Sequence, residues 1–336
     1  ALYNLPSFTS ARQMLDPQVT GLEPVIIATP PATHAELTRL AAERGLHVLC
    51  ETPMASTVAQ CRAMIKVCDE RAVVLMIAHR QRYAPALIRL RELTGDPDGQ
   101  NGDGDRSGEL GAIRFVMMRY PHPGFSEKPW TWQDEDGAGP LLDHLVHATD
   151  VLQWLCGDVV RVYAEGAHHF AERFAPAFNC AAVTLRFRSG AIGTLGGGFV
   201  SHAGMNLEDL FLACDQGVGT VSGAFDNPET LRWSLRRSPM QLREESRRVD
   251  LFRAELEHFV GCAHHGAAVR TGGASAMKAV AVCRAAIESA RTGQPVEIDR
   301  LEGDVEPATM ESEKPESRAV QLVTSMEEPV APETLN

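Results

Sequence analysis

The runs Val25-Ile26-Ile27-Ala28, His47-Val48-Leu49-Cys50 and Val73-Val74-Leu75-Met76-Ile77-Ala78 decide how this chain folds. Each is short, continuously apolar and rich in aliphatic residues, as a strand buried on both faces is. Between the first two, His34 to Arg44 carries helical periodicity and stops at Gly45; between the second and third, Thr57 to Arg71 does the same. Strand, helix, strand, helix, strand predicts a parallel sheet joined by right-handed crossovers.

Further along, the period changes. Thr94 to Gly111 is dense in Gly, Asp and Asn without periodicity and reads as a flexible loop. Beyond it Val183, Leu185 and Phe187 alternate with Thr184, Arg186 and Arg188, and Ser189-Gly190 turns the chain into Ala191 to Val200, a hairpin with one buried face. With strands expected at Ile113–Arg119, Val159–Glu165 and Leu207–Cys214, this half forms a mostly antiparallel open sheet. Helices over Asp250–His264 and Ala274–Thr292 close the fold. Glu302 to Asn336 is rich in Glu, Pro, Ser and Thr and reads as a disordered tail that folding does not need. The expected division is a first domain over 1–93, a loop over 94–111, a second domain over 112–300 and a tail over 301–336.

Composition narrows the function classes. The 336 residues suffice for two cores, and 44% hydrophobic with 23% charged residues describes a globular, water-soluble chain. A net charge of −12 with no basic, aromatic-interleaved run opposes nucleic-acid binding. No apolar run approaches the roughly 20 residues that span a bilayer, and no basic segment precedes an apolar one at the start, so a cytoplasmic protein is expected. The eight scattered cysteines never form Cys-x-x-Cys and read as small buried hydrophobes.

The segment Gly137-Ala138-Gly139-Pro140-Leu141-Leu142-Asp143-His144-Leu145-Val146-His147-Ala148-Thr149-Asp150 carries the candidate chemistry. Glycines ahead of Pro140 suit a tight helix entry, and Leu141, Leu145, Ala148, Leu152 and Leu155 form a core stripe. Asp143, His147 and Asp150 make a second stripe nearly opposite, so a carboxylate and an imidazole face one space. An Asp one turn before a His can steer the ring for proton transfer with an alcohol. Spacing alone favours a plainer account, a solvated face with Asp143 and His147 as a surface pair. A metal is disfavoured, because no further His pair stands at ligand spacing and His168-His169 and His264-His265 diverge. His144 points elsewhere and is expected to be structural.

Three ordered segments, Ala28-Thr29-Pro30-Pro31-Ala32-Thr33-His34, His47-Val48-Leu49-Cys50-Glu51-Thr52-Pro53 and Gly137 to Asp150, resemble the Gfo/Idh/MocA oxidoreductase family. The likeness covers roughly Phe8 to Asp299. It implies an α/β plus α+β protein, a partial Rossmann domain holding the strand 4-5-6 half, then the open-sheet domain. It also implies NAD or NADP as cofactor, hydride exchange with a sugar, cyclitol or related polyol, and a homodimer or homotetramer paired through the open sheet. By resemblance His147 is the acid/base, Asp143 orients it and contacts substrate, and Thr52 stands where the family has a lysine. Ala28, Thr29, Pro30, His34, Glu51, Pro53, Arg80 and Arg82 would serve the cofactor; solvated arginines at a strand end explain Arg80 and Arg82 equally well. Thr52 lacks the lysine's charge, and the Glu-Lys-Pro at Glu127-Lys128-Pro129 reads as coincidence, though Lys128 could reach the site. No Gly-x-Gly-x-x-Gly turn precedes Val25, so weak cofactor binding by this chain alone is expected. A catalytically silent sugar- or cofactor-binding relative is the alternative.

Overall fold

A computed structural model describes residues 7–16, 23–95, 108–122, 139–169, 177–200, 208–224 and 227–299. Ala1–Asp304 packs as one unit, and the tail, with Lys128 and most of the 94–111 loop, lies outside the described residues. After one helical turn, α1 (Ala11–Met14), come β1 (Pro24–Ile27), α2 (His34–Ala42), β2 (His47–Cys50), α3 (Val58–Glu70) and β3 (Leu75–Ile77). The strands pair in parallel in the order β1-β2-β3, as the apolar runs predict. Thr57 starts α3 with a reciprocal capping box to Gln60, which satisfies two otherwise orphaned backbone donors.

A 3-10 turn over Arg80–Tyr83 and helix α4 (Pro85–Thr94) lead to β4 (Ile113–Pro121), the long helix α5 (Gly139–Cys156) and β5 (Val159–Ala167). Then follow β6 (Cys180–Phe187), β7 (Ile192–Gly198), β8 (Glu208–Cys214), β9 (Gly217–Ala224), β10 (Asn227–Leu235) and β11 (Ser238–Ser246). Helices α6 (Leu251–His265) and α7 (Gly273–Thr292) and the short β12 (Val296–Glu297) complete the described chain. The second sheet has nine strands in the order β11-β10-β9-β8-β4-β7-β6-β5-β12. Only the β4–β7 neighbours run parallel. The expected antiparallel character therefore holds, with β9 to β11 and α4 added to what the sequence suggested.

Helices α5 and α7 pack together on one face of this sheet. Gly197 makes the close approach possible, since a Cβ there would lie 2.4 Å from Tyr120 O and 3.2 Å from Leu145 Cδ2. His144 pins the helix to β4, its Nε2 lying 2.7 Å from Tyr120 O. The core stripe of α5 is buried as expected, but the polar stripe is not a solvated face. His147 is 8% and Asp150 1% exposed, and only Asp143 and Trp154 along the helix are half-buried. A helix enclosed on all sides must find partners for its polar groups inside the protein. All eight cysteines are free thiols, seven of them buried. Among the described residues no helix is long and apolar enough to cross a membrane.

Candidate active site

The carboxyl ends of β1, β2 and β3 bring three short segments to one edge: Ala28-Thr29-Pro30, Glu51-Thr52-Pro53 and His79-Arg80. In open α/β sheets this edge is where ligands bind. Helix α5 delivers His147 to it, with Thr52 Oγ1 and His147 Nε2 3.2 Å apart across 95 residues of sequence. Asp143, one turn earlier on α5, is half-buried. The structure thus joins Thr52 and His147 directly, although the sequence suggested only that both belonged to one site.

Burial holds the His147 imidazole well below its usual range, and the Arg80 guanidinium and the neighbouring His79 push the same way. His147 is therefore neutral near pH 7 and available to accept a proton. The His79 ring lies edge-on to it, with centroids 6.0 Å apart, and burial takes His79 down to about 4. Both ring nitrogens of His79 are buried without a hydrogen-bond partner, Nδ1 standing 3.7 Å from Asp150 Oδ2.

Two expected cofactor contacts are corrected. His34 is fully buried, its Nε2 2.7 Å from Thr29 O and its Nδ1 3.1 Å from Pro53 O. It ties the loop after β1 to the Thr52-Pro53 loop and presents no ring edge to the cleft. Arg82 turns inward to Asp150, donating from Nε at 2.8 Å and from Nη2 at 2.6 Å, and gives Nη1 to Arg270 O at 3.1 Å. This bidentate buried pair also removes Asp150 from the stripe shared with Asp143 and His147. Arg80 stays half-buried at the edge, its guanidinium 4.8 Å from the Phe252 ring centroid. Ala28 and Thr29 are exposed, Pro30, Glu51 and Thr52 half-buried, and Pro53 buried. Thr29 and Thr33 share a 2.7 Å hydroxyl contact. Among the described residues no group of three or more His, Cys, Asp or Glu converges as metal ligands would.

Glu255 is a site neighbour that sequence reasoning missed. It lies on α6 between Phe252, which supports Arg80, and His258, whose ring is 5.6 Å from that of Tyr83. It is 3% exposed and its Oε1 has no partner. The signal was a carboxylate inside the apolar stripe Leu251, Phe259 and Cys262. Burial first, then repulsion from Glu51, pushes its carboxyl up to about 8, against the attraction of Arg80. Folded Glu255 therefore keeps its proton from about pH 4.5 to 8, where the unfolded carboxyl has lost it. Stability contributed this way is present below that window, falls as pH rises through it and is flat above. Glu255→Gln is expected to flatten the decline by about 2 kcal/mol, less than full linkage because water and Arg80 can reach the ionised group. Denaturant midpoints from pH 5 to 8 test this, and parallel curves for the two proteins would refute it.

The donor set at the strand ends fits the nicotinamide half of a dinucleotide. Thr29, Thr33 and Thr52 offer neutral hydroxyls suited to a carboxamide and a ribose, and exposed Ala28 leaves the end of β1 open. Comparison with known proteins gives the family. A family model described as "Oxidoreductase family, NAD-binding Rossmann fold" matches residues 1–79, and one described as "GFO/IDH/MocA C-terminal domain" matches residues 106–218. D-apiose dehydrogenase of Paraburkholderia graminis is 26% identical over 307 residues, 87% of this chain and 77% of that protein. Inositol 2-dehydrogenase of Rhizobium meliloti is 23% identical over 284 residues, 82% of this chain and 81% of that one. The crystal structure of aldose-aldose oxidoreductase from Caulobacter crescentus, complexed with glycerol, superposes with a TM-score of 0.71 at 27% identity, covering 85% of this chain and 82% of its own. The chain belongs to the Gfo/Idh/MocA family of NAD(P)-dependent oxidoreductases, its Rossmann segment followed by that family's C-terminal sheet domain.

Proposed function

We propose that this chain interconverts a hydroxyl and a carbonyl on a sugar, cyclitol or related polyol, with Thr52 and His147 carrying the proton. The 3.2 Å contact between Thr52 Oγ1 and His147 Nε2 is the observation that carries the reading. The names of the relatives, an apiose, an inositol and an aldose enzyme, support the substrate class. NAD or NADP, when bound, would supply the acceptor or donor for the hydride of the alcohol carbon. Ala28, Thr29, Pro30, Glu51, Pro53 and Arg80 would line its nicotinamide end.

In the oxidative direction the substrate hydroxyl gives its proton to Thr52 Oγ1 as the threonine proton passes to His147 Nε2. Asp143, half-buried one turn before His147 on α5, would orient the imidazole and offset its charge once protonated. Arg80 and burial keep that protonated state short-lived, so the proton moves on to solvent or back to substrate. Thr52 supplies a hydrogen bond where a lysine would supply a charge, and the developing alkoxide is less stabilised for it. That deficit favours a second reading, a sugar-binding relative without turnover.

Thr52→Val, which removes the hydroxyl at nearly constant volume, is expected to lower kcat about tenfold with little change in KM. Thr52→Lys is expected to raise kcat. Steady-state rates with saturating cofactor test both, and an unchanged kcat in both variants would remove Thr52 from the reaction. Binding of sugar with no turnover in any variant would establish the silent reading. The face of the second sheet turned away from α5 and α7 exposes Met117, Tyr163, Ile192 and Val218, which supports the homodimer or homotetramer expected from the resemblance.

A further inference from the structure

A pocket opens between the Arg80–Tyr83 turn, helices α4 and α5, and strands β4, β8, β9 and β10. Leu87, Met118, Val151, Leu210 and Val221 make its walls. Gln81 also lines it, is 3% exposed and uses Nε2 to donate to Tyr120 OH at 3.2 Å. Its Oε1 is buried with no hydrogen-bond partner. A buried amide oxygen left unpaired costs the desolvation of that group, so a cavity built around one calls for a donor. Asp209 is the charged side chain among the lining residues, and its carboxylate is occupied by Arg119 at 2.8 Å. The pocket therefore suits a neutral group with an apolar stem and one O–H.

Its place relative to the site narrows this further. Val151, which lines the pocket, follows His147 by four residues on α5, so it stands one helical turn, about 6 Å, further along the same side of the helix. That is a spacing one sugar ring spans. We infer that this pocket is the subsite for an exocyclic hydroxymethyl group of the substrate, with Gln81 Oε1 accepting a hydrogen bond from its hydroxyl. The inference rests on the proposed reaction at Thr52 and His147, and it makes Gln81 a specificity residue. A sugar with this substituent satisfies the buried oxygen; one without it leaves Oε1 unpaired. Discrimination of about ten- to hundredfold follows.

The test uses the full chain and two matched pairs of probes: D-glucose with D-xylose, and D-galactose with L-arabinose. Each pair shares a ring configuration and differs by the hydroxymethyl group. Binding is titrated by ligand-observed NMR, and kcat/KM is measured with NAD and NADP. The expected result is tighter binding of the hexose in at least one pair, by tenfold or more, lost in Gln81→Met and largely kept in Gln81→Glu. Melting curves establish that both variants fold. Equal binding within both pairs, discrimination that survives Gln81→Met, or no binding of any of the four sugars would overturn the subsite. Turnover that depends on His147 with equal kcat/KM within each pair removes the subsite and leaves the dehydrogenase reading standing. Gln81-dependent discrimination in binding without turnover establishes the subsite and removes the dehydrogenase.

Discussion

His147→Ala is expected to reduce turnover by roughly 10²–10⁴-fold, the usual loss when a positioned proton carrier is removed. The size follows from what the structure leaves in its place. Thr52 Oγ1 contacts Nε2 of this imidazole, and neither Thr52 nor the half-buried Asp143 can replace it in position. On the proposed mechanism the substrate alcohol would lose the base that takes its proton, while the strand ends proposed to hold cofactor remain. KM should change little, because His147 contributes to the reaction more than to binding. The pH profile separates this role from a structural one. Burial, Arg80 and His79 lower the His147 pKa, so its neutral, accepting form persists from neutral into alkaline solution and is lost only in acid. The oxidation rate in the wild type should therefore be flat above neutrality and fall on the acid side, and the residual rate of the variant should lack that acid limb. A folded His147→Ala protein with kcat within twofold of wild type would take His147 out of the mechanism.

The parts of the fold legible in the sequence are those in which burial repeats with a period. The runs that became β1 to β3 are apolar on both faces, and the stripe from Leu141 to Leu155 is apolar at helical steps. Strand β10 does alternate, with Leu231, Trp233 and Leu235 buried, and was simply missed, whereas the apolar signal of β9 and β11 is weak. Strand β9 holds three glycines, Gly217, Gly219 and Gly223, and β11 is exposed along most of its length, with Met240 95% and Leu242 67% accessible. Such strands are fixed by pairing with neighbours, a long-range property that local sequence does not display.

The site was half legible for the same reason. His147 and Thr52 were marked by the segments they occupy, and those segments meet. The directions of His34 and Arg82 were not readable, because direction depends on distant partners. His34 answers to Thr29 and Pro53, and Arg82 to Asp150, 68 residues away. Gln81 sits between two arginines in a polar stretch, and nothing nearby in the sequence shows that its amide oxygen would be buried without a partner.

Asp150→Ala is expected to destabilise the fold by about 3–5 kcal/mol, because it strands a buried guanidinium. The Arg82 side chain is 7% and that of Asp150 1% exposed, so water cannot replace the two hydrogen bonds that are lost. Arg82 Nη1 would keep Arg270 O, and the Trp154 ring would remain 5.7 Å from the guanidinium, but neither carries a negative charge. The pair also joins the turn after β3 to helix α5, the helix that carries His147, so activity should fall before the protein unfolds. For a chain of this size the shift in Tm is on the order of 10 °C. It should be nearly independent of salt, since a buried pair is little screened. The double variant Arg82→Met with Asp150→Leu should recover most of the stability, because removing both charges removes the desolvation cost as well as the attraction. Recovery of stability without recovery of turnover would identify the pair as the device that orients α5. A single Asp150→Ala variant melting within a degree of wild type would mean that Arg82 finds another partner and that the two elements are held together by packing alone.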